Sequence, residues 1–227
     1  VSNAAGEPIL VIGNKNYSSW SLRPWLLLRH FAVPFREIRL PLDTEEFHRR
    51  IGDYSPTARV PVLRDGEEVI WDSLAICETV NERWLAGRGW PAETKLRALA
   101  RSAAAEMHSG FAALRAQLPM NCRRAPTPPH WDARAERDIA RVQRLWRQLR
   151  AAGAASGPFL CGEFGIADAM YAPVCLRFQA YGVPIDDNAA AYVAGMLDLP
   201  AMREWLAAAR SESERLPATD GIAEALA

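Results

Sequence analysis

Apolar residues open the chain as a short block, Pro8-Ile9-Leu10-Val11-Ile12-Gly13, which predicts a buried strand closed by glycine. Asn14 to Ser19 is polar and turn-forming. From Ser21 onward Leu22, Trp25, Leu26, Leu28 and Phe31 recur at helical spacing. Pro24 is tolerable there only in the first turn, and Pro34 ends the helix. Residues 35–40 (FREIRL) alternate apolar and charged side chains, as a half-buried strand does. Asp43 and Glu46 have the spacing of a capping box for a short helix over 44–51. The runs 61–64 (PVLR) and 68–71 (EVIW) flank Asp65-Gly66-Glu67, a hairpin signal because glycine supplies the positive φ of a tight turn. A helix follows from Ser73 to about Leu85.

That order, strand–helix–strand, loop, hairpin and helix, favours a parallel pair extended by antiparallel strands into a small mixed sheet with helices on it. It is the order of a thioredoxin-like domain. Composition changes over 86–93 (AGRGWPAE), which reads as a linker, and beyond it no segment reads as a strand. Residues 93–118 are alanine-rich with helical periodicity, and Pro126, Pro128 and Pro129 interrupt. In 131–151, Ile139, Val142, Leu145, Trp146 and Leu149 line one helix face, with arginines 134, 137, 141, 144 and 147 over much of the rest. Gly165 to about Tyr181 and Pro200 to Ala209 supply further helices. The predicted fold is an α/β N-terminal thioredoxin-like domain (βαβ-ββα) over 7–86 and an all-α C-terminal domain over 93–210, with 211–227 a loosely held tail. Ser2-Asn3-Ala4 is compatible with a tag-removal remnant, and residues 1–6 stay outside this reading.

With 227 residues, 49% of them hydrophobic and 24% charged, the chain has the apolar surface of an ordinary folded protein and is not a disordered one. Its 27 basic and 27 acidic side chains cancel, so no net charge draws it toward nucleic acid or anionic lipid. The arginine face of 131–151 is interleaved with Asp132, Glu136 and Asp138 and reads as a solvated helix. No apolar run approaches the ~20 residues of a membrane span, and the start has no basic region followed by an apolar one, so a cytoplasmic location is expected. Cys77, Cys122, Cys161 and Cys175 show no C-x-x-C or metal-like spacing and read as reduced thiols. His30, His48, His108 and His130 form no H-x-x-x-H pair, and no metal site is predicted. Asn16-Tyr17-Ser18 matches a glycosylation sequon by chance.

Three stretches have chemical potential. Asn16-Tyr17-Ser18-Ser19-Trp20-Ser21 lies between the first strand and the first helix. Unpaired N–H groups and the helix dipole stabilise an anion there, and a serine hydroxyl adds a directed donor. A bound thiol would be favoured as thiolate; the plainer reading of the serine is an N-cap. Arg59-Val60-Pro61 enters the hairpin, where a cis proline would turn the Val60 backbone toward a ligand; the alternative is an edge-strand proline. Asp72-Ser73 precedes a helix: Ser73 as cap would offer N–H groups to a carboxylate and Asp72 would receive an ammonium group, or the pair is simply a cap.

Taken together these stretches resemble the soluble glutathione transferase superfamily, in its serine-type branch near the zeta and related bacterial groups. The resemblance covers roughly residues 8–210 and is strongest in SSWSLRPWLLL (18–28), SPTARVPVLRDGEEVIWDSLAICETV (55–80) and FLCGEFGIADAMYAP (159–173). It implies glutathione as co-substrate with no metal, a small electrophile as second substrate, a cytosolic homodimer, and conjugation, isomerisation or peroxide reduction. By position, Ser18 would stabilise the thiolate with Ser19 as neighbour or substitute. Arg59, Val60 and Pro61 would form the cysteinyl clamp, Asp72 and Ser73 would hold the γ-glutamyl end, and Asp168 would belong to a helix-capping motif. Tyr17, Trp20, Met107, His108, Phe111, Arg115, Arg177, Phe178 and Tyr181 are candidates for an electrophile pocket between the domains, or ordinary core. Arg115 or Arg177 would be the residue to hold a substrate carboxylate.

The chain also departs from the family pattern. Trp20 stands where the zeta pattern has cysteine, and serines stand where thiol-transferring branches have one, which argues against disulfide exchange. The loop 55–59 lacks the usual Asn or Gly, Gly165 replaces the capping serine, and the zeta arginine falls near Ala180, so no isomerase assignment is made. The rival from another class is a non-catalytic glutathione-fold binding module.

Overall fold

A computed structural model describes residues 6–125, 131–153 and 157–225. The remnant read at 2–4, Pro126, Pro128, Pro129 and His130 lie outside the described residues. Strands β1 (Ile9–Ile12) and β2 (Arg36–Arg39) are parallel and joined by helix α1 (Ser19–His30). The hairpin of β3 (Val62–Asp65) and β4 (Glu68–Trp71) turns through Gly66 at φ +61° and pairs antiparallel with β1, giving the order β2-β1-β3-β4. This is the expected mixed sheet.

Strand alternation decides which side chains reach which layer. Leu10, Ile12 and Leu63 enter the main core with helices α1 and α3 (Ser73–Arg83). Val11 and Val62 face the other way, onto Phe47 of helix α2 (Glu45–Arg50) and Ile51. The cap of α2 is Thr44, whose Oγ1 accepts the Phe47 N–H at 3.1 Å, and not the expected Asp43. Asp43 has φ +57° and lies one residue before the cap position, while Glu46 pairs with Arg50.

The remainder is helical: α4 (Thr94–Ser109), α5 (Ala112–Gln117), α6 (Ala133–Gly153), α7 (Ile166–Ala180), α8 (Asp187–Asp198), α9 (Pro200–Ser211) and α10 (Pro217–Ala225). The expected helical stretch 93–118 is split because Gly110 closes α4 and Phe111 takes a left-handed conformation at φ +56°. Helices α8 and α10 were not read from the sequence; α8 starts at Asp186, whose carboxylate accepts the Ala189 N–H at 2.8 Å. Helix α7 is buried almost throughout and packs against α1, α4 and α8, so the main core runs across both halves of the chain. The architecture is a thioredoxin-like domain followed by an all-helical one.

Asp168, in the first turn of α7, accepts the N–H of Gly165 and that of Leu160, each at 3.0 Å. Gly165 has no hydroxyl to complete the cap, so the Asp168 carboxylate is the side chain that ties the turn 160–165 to the helix. Burial pushes Asp168 up to about 6, against the pull of those two N–H groups. Asp168→Ala is expected to cost about 2–4 kcal/mol, since it strands buried donors. With the folded value raised, its contribution to stability is fully present below the unfolded value of about 4 and is lost as pH rises through about 6. Urea midpoints of wild type should therefore fall relative to Asp168→Asn between these values; parallel curves would contradict this.

Candidate functional site

The chain leaves β1 through a turn in which the Asn14 carbonyl accepts the N–H groups of Tyr17 (3.2 Å) and Ser18 (2.8 Å). Ser18 is then the N-cap of α1: its Oγ accepts the Ser21 N–H at 3.4 Å and donates to Ser21 Oγ at 2.7 Å. Ser21 Oγ also accepts the Gly13 N–H at 3.2 Å, so two hydroxyls link the strand end to the helix start. The Ser19 N–H is taken by the Tyr17 carbonyl at 2.9 Å. Two first-turn donors expected to be unpaired are thus already engaged, and the plainer reading of Ser18 as a cap is correct for the resting protein.

Of the two readings left open for Pro61, the structure has the cis peptide, at Val60–Pro61. The preceding loop is organised by buried Ser55, whose Oγ accepts the N–H groups of Thr57 and Arg59 at 3.4 and 3.2 Å. At the third stretch the roles are exchanged. Asp72, not Ser73, caps α3, its Oδ1 accepting from Leu74 and Ala75 at 2.9 and 3.3 Å. Asp72 holds φ +75°, which brings its other oxygen within 3.2 Å of His108 Nε2. Ser73 is buried and its Oγ accepts from Arg23 Nη1 at 3.3 Å.

These stretches border one cavity of about 270 Å3, lined by Trp20, Arg59, Val60, Pro61, Asp72, Ser73 and His108 together with Thr57 and Trp71. Trp71 is the one exposed large hydrophobic residue among the described residues. The Trp20 ring meets His108 edge-on at 5.4 Å, and the guanidinium carbons of Arg23 and Arg115 lie 4.2 and 5.4 Å from its centre. Ser18, Ser19, Tyr17, Phe111, Arg115 and Arg177 are not among the lining residues. Met107, Phe111, Phe178 and Tyr181 are buried in the core, and the Tyr181 hydroxyl donates to the Pro119 carbonyl at 3.0 Å. Arg177 is also buried; its Nη2 donates to Ser19 Oγ at 3.3 Å and its Nε to the Leu118 carbonyl at 2.8 Å. A larger hollow of about 530 Å3 opens at the other end of α1, between His30, Trp90 and Phe164. It meets Gly165 and Asp168 but none of the three stretches, so the smaller cavity is the candidate site.

The four cysteines are free. Burial pushes the thiols of Cys122 and Cys161 up to about 12 and those of Cys77 and Cys175 well above the ordinary range, so none is primed as a nucleophile. Among the described residues no three His, Cys, Asp or Glu side chains gather to hold a metal ion, and no helix is long and apolar enough to cross a membrane.

Two family models match the chain: glutathione S-transferase, N-terminal domain, over residues 17–83, and glutathione S-transferase, C-terminal domain, over 132–208. The chain belongs to the glutathione S-transferase superfamily. A dichloromethane dehalogenase of Methylorubrum extorquens is 38% identical over 60 residues, which are 26% of this chain and only 21% of that relative. Among solved structures, a glutathione transferase homolog from Burkholderia gl BGR1 with bound glutathione has a TM-score of 0.63 at 21% identity, covering 91% of this chain and 100% of that one. A theta class glutathione S-transferase of Xanthomonas axonopodis pv. citri, also with glutathione bound, has a TM-score of 0.62 at 22% identity over 88% and 96%. A Tau class enzyme from mango, Mangifera indica, reaches 0.67 at 17% identity over 97% and 99%. At these identities the likeness is one of fold.

The superfamily motifs end before a contact that sequence reasoning missed. The segment after Ser211, expected to be loose, returns to the turn ahead of Ser18. The Glu212 carboxylate, 8% exposed, accepts the N–H groups of Lys15 and Asn16 at 2.7 and 3.0 Å. Asp220 accepts the Tyr17 hydroxyl and Asn121 Nδ2, both at 3.0 Å. Arg123 donates to the Tyr17 hydroxyl at 2.9 Å, to the Glu214 carbonyl at 2.6 Å, and to the Glu212 carbonyl. Tyr17 therefore belongs to this latch and not to a pocket. Glu212→Ala should cost about 2–3 kcal/mol by orphaning two backbone donors. Amide exchange should then accelerate at Lys15 and Asn16. Glu214→Gln, at a more exposed pair with Arg39, should stay within about 1 kcal/mol. Equal effects of the two substitutions would refute the latch.

Proposed function

We propose that the chain is a serine-type, glutathione-dependent transferase, acting as a cytoplasmic homodimer, in which Ser18 stabilises the thiolate of bound glutathione. What supports this reading is the gathering of Arg59, Val60, Pro61, Asp72, Ser73 and Trp20 around one cavity beside the amino end of α1. Val60, next to the cis proline, offers its backbone to the cysteinyl unit. The α3 amino end, at Asp72 and Ser73, receives the γ-glutamyl end. Asp72 is committed on one oxygen to its cap and on the other to His108, so an ammonium group competes with His108 for the second.

Ser18 needs no deprotonation for this task. Turning its hydroxyl hydrogen from Ser21 to a sulfur leaves its oxygen free to accept from Ser21 in return, across the same 2.7 Å. The buried two-serine link is thereby a donor that rearranges with little motion. Arg177, bonded to Ser19, adds positive charge next to it. The thiolate then attacks an electrophilic carbon. The sulfur–carbon bond forms as the leaving group departs with the bonding pair, or, in addition to an activated double bond, as water protonates the neighbouring carbon. Positioning and thiolate stabilisation are the protein's contributions. Halogenated alkanes belong in the substrate panel, given the dehalogenase relative.

The Ser18→Ala protein should bind glutathione with little change by calorimetry. The pKa of the bound thiol, read from thiolate absorbance, should rise by about 1–2 pH units, with turnover down about tenfold to a hundredfold. An unmoved thiol pKa and unchanged turnover remove Ser18 from the role. Glutathione binding with no turnover across the panel favours the binding-module reading instead.

A further inference from the structure

The backbone of Lys15 and Asn16, just ahead of Ser18, is held from outside the sheet domain. Their N–H groups go to the two oxygens of Glu212, at 2.7 and 3.0 Å. The Lys15 carbonyl accepts from Trp205 Nε1 at 2.9 Å, and the Asn16 carbonyl from the Cys122 N–H at 3.2 Å. The buried Asn16 side chain donates to Asn121 Oδ1 and accepts the Arg123 N–H, both at 3.0 Å. All four backbone groups of this residue pair are thus satisfied by the helical half and the segment after it. Tyr17, next in the chain, is fixed at its hydroxyl by Arg123 and Asp220. The Asn14 carbonyl then closes the turn onto the Ser18 N–H. A backbone anchored in this way sets where Ser18 Oγ lies. By contrast, the loop before Val60 rests on Ser55, and Asp72 on its own cap at the start of α3. The residues that bond to the turn, Trp205 apart, lie outside 17–83 and 132–208, so this support is not part of the matched superfamily pattern.

We propose that Glu212 is a positioning residue for the sulfur chemistry: through the Lys15–Asn16 turn it fixes the Ser18 hydroxyl where it can donate to the bound thiolate, an inference that rests on the reading of Ser18 as that donor. A hydrogen bond weakens steeply as its donor tilts away, and a misplacement of about 1 Å caused by a distant change can cost a hundredfold in rate. Glu212 has two opposed effects on a thiolate at this place. As the anchor of the turn it stabilises the anion by aiming a donor; as a negative charge it destabilises it. That charge is met by two backbone N–H groups and by Arg39 Nη1 at 3.7 Å, which leaves positioning as the larger effect. Loss of the carboxylate therefore raises the pKa of the bound thiol, whereas a charge effect alone would lower it.

Glu212→Ala, Glu212→Gln and Asp220→Asn are compared with wild type, and the Glu212 variants also in the Ser18→Ala background. Glu212→Gln keeps the side chain's length and one acceptor, and serves should the alanine variant not fold. Glutathione binding by calorimetry should change by less than about threefold, since the contacts at Val60 and Asp72 do not depend on the latch. The thiol pKa, read from thiolate absorbance, should rise by about 0.5–1 pH unit in Glu212→Ala and by less in Glu212→Gln and Asp220→Asn. With the best electrophile of the panel, kcat should fall about threefold to tenfold while KM for glutathione stays nearly constant. In the Ser18→Ala background the Glu212 substitutions should add no further shift, because no hydroxyl is left to aim. An unmoved thiol pKa and kcat, in a variant whose Lys15 and Asn16 amides exchange faster, overturns the proposal. So does a lowered thiol pKa, which assigns Glu212 to charge. Shifts that add in full to that of Ser18→Ala overturn it as well, since Glu212 would then act elsewhere. If Ser18→Ala itself leaves the thiol pKa unmoved, the Ser18 reading and this inference fall together. If that variant shifts the pKa and the Glu212 variants do not, this inference alone falls.

Discussion

The packing of α1 between α3 and α7 governs this molecule. Leu22, Trp25, Leu26, Leu27 and Leu28 are fully buried along it, and each such side chain contributes roughly 1.5–3 kcal/mol on leaving water. That apolar gain is what allows one helix to bury Arg23 as well, and to present its amino end at the junction of the two domains. Because α7 is almost wholly buried against α1, its Arg177 reaches Ser19 across the domain boundary. The candidate site is therefore set by the seam between domains and not by the sheet alone. The sheet domain contributes the Val60–Pro61 entry to β3 and the Asp72 cap after β4; the helical domain contributes His108 to the cavity wall.

Much of this was legible in the sequence where the signal is local. Alternation in 35–40, the Asp65-Gly66-Glu67 turn and the 3.6-residue spacing after Ser21 each name an element without help from distant residues. The candidate stretches stood out for the same reason: Ser18, Pro61 and Asp72 all stand where one type of element gives way to another. Capping assignments failed by one residue at Thr44 and at Asp72. In each case a residue with positive φ intervened, and a spacing rule that assumes ordinary backbone has no access to that. The helical run 93–118 was misread for a similar reason, at Phe111.

The carboxy-terminal latch was illegible on different grounds. Glu212 and Asp220 sit in a polar stretch with no periodicity, and their partners lie some two hundred residues earlier in the chain. Nothing local distinguishes a carboxylate that folds back onto two backbone donors from one that points into water. Arg23 did carry a signal, being a charged residue on the same helical turn as Leu22, Trp25 and Leu26, all of which are buried. A cation on such a helix either snorkels to the surface or has work within. Here Arg23 is buried with its guanidinium over the Trp20 ring, so it has not taken the first route.

The proposed sulfur chemistry depends on what the chain withholds. A cysteine at the start of α1 would gain thiolate character from the helix terminus and attack a disulfide substrate, keeping one half as a mixed disulfide and releasing the other as thiolate. Serine at the same place gives a hydrogen-bond donor that cannot be oxidised. The four cysteines that exist are removed from competition by burial, including Cys122, whose Sγ lies 3.6 Å from the Lys15 carbonyl beside the same turn. In the proposed reading the reactive sulfur is the one that arrives as co-substrate, and the positive charge of Arg177 lies beside the serines that meet it. A turn fixed by Glu212, a hydroxyl pair that rearranges in place, and an arginine from the second domain then divide the work. The first orders the backbone, the second donates to sulfur, and the third adds positive charge through its bond to Ser19.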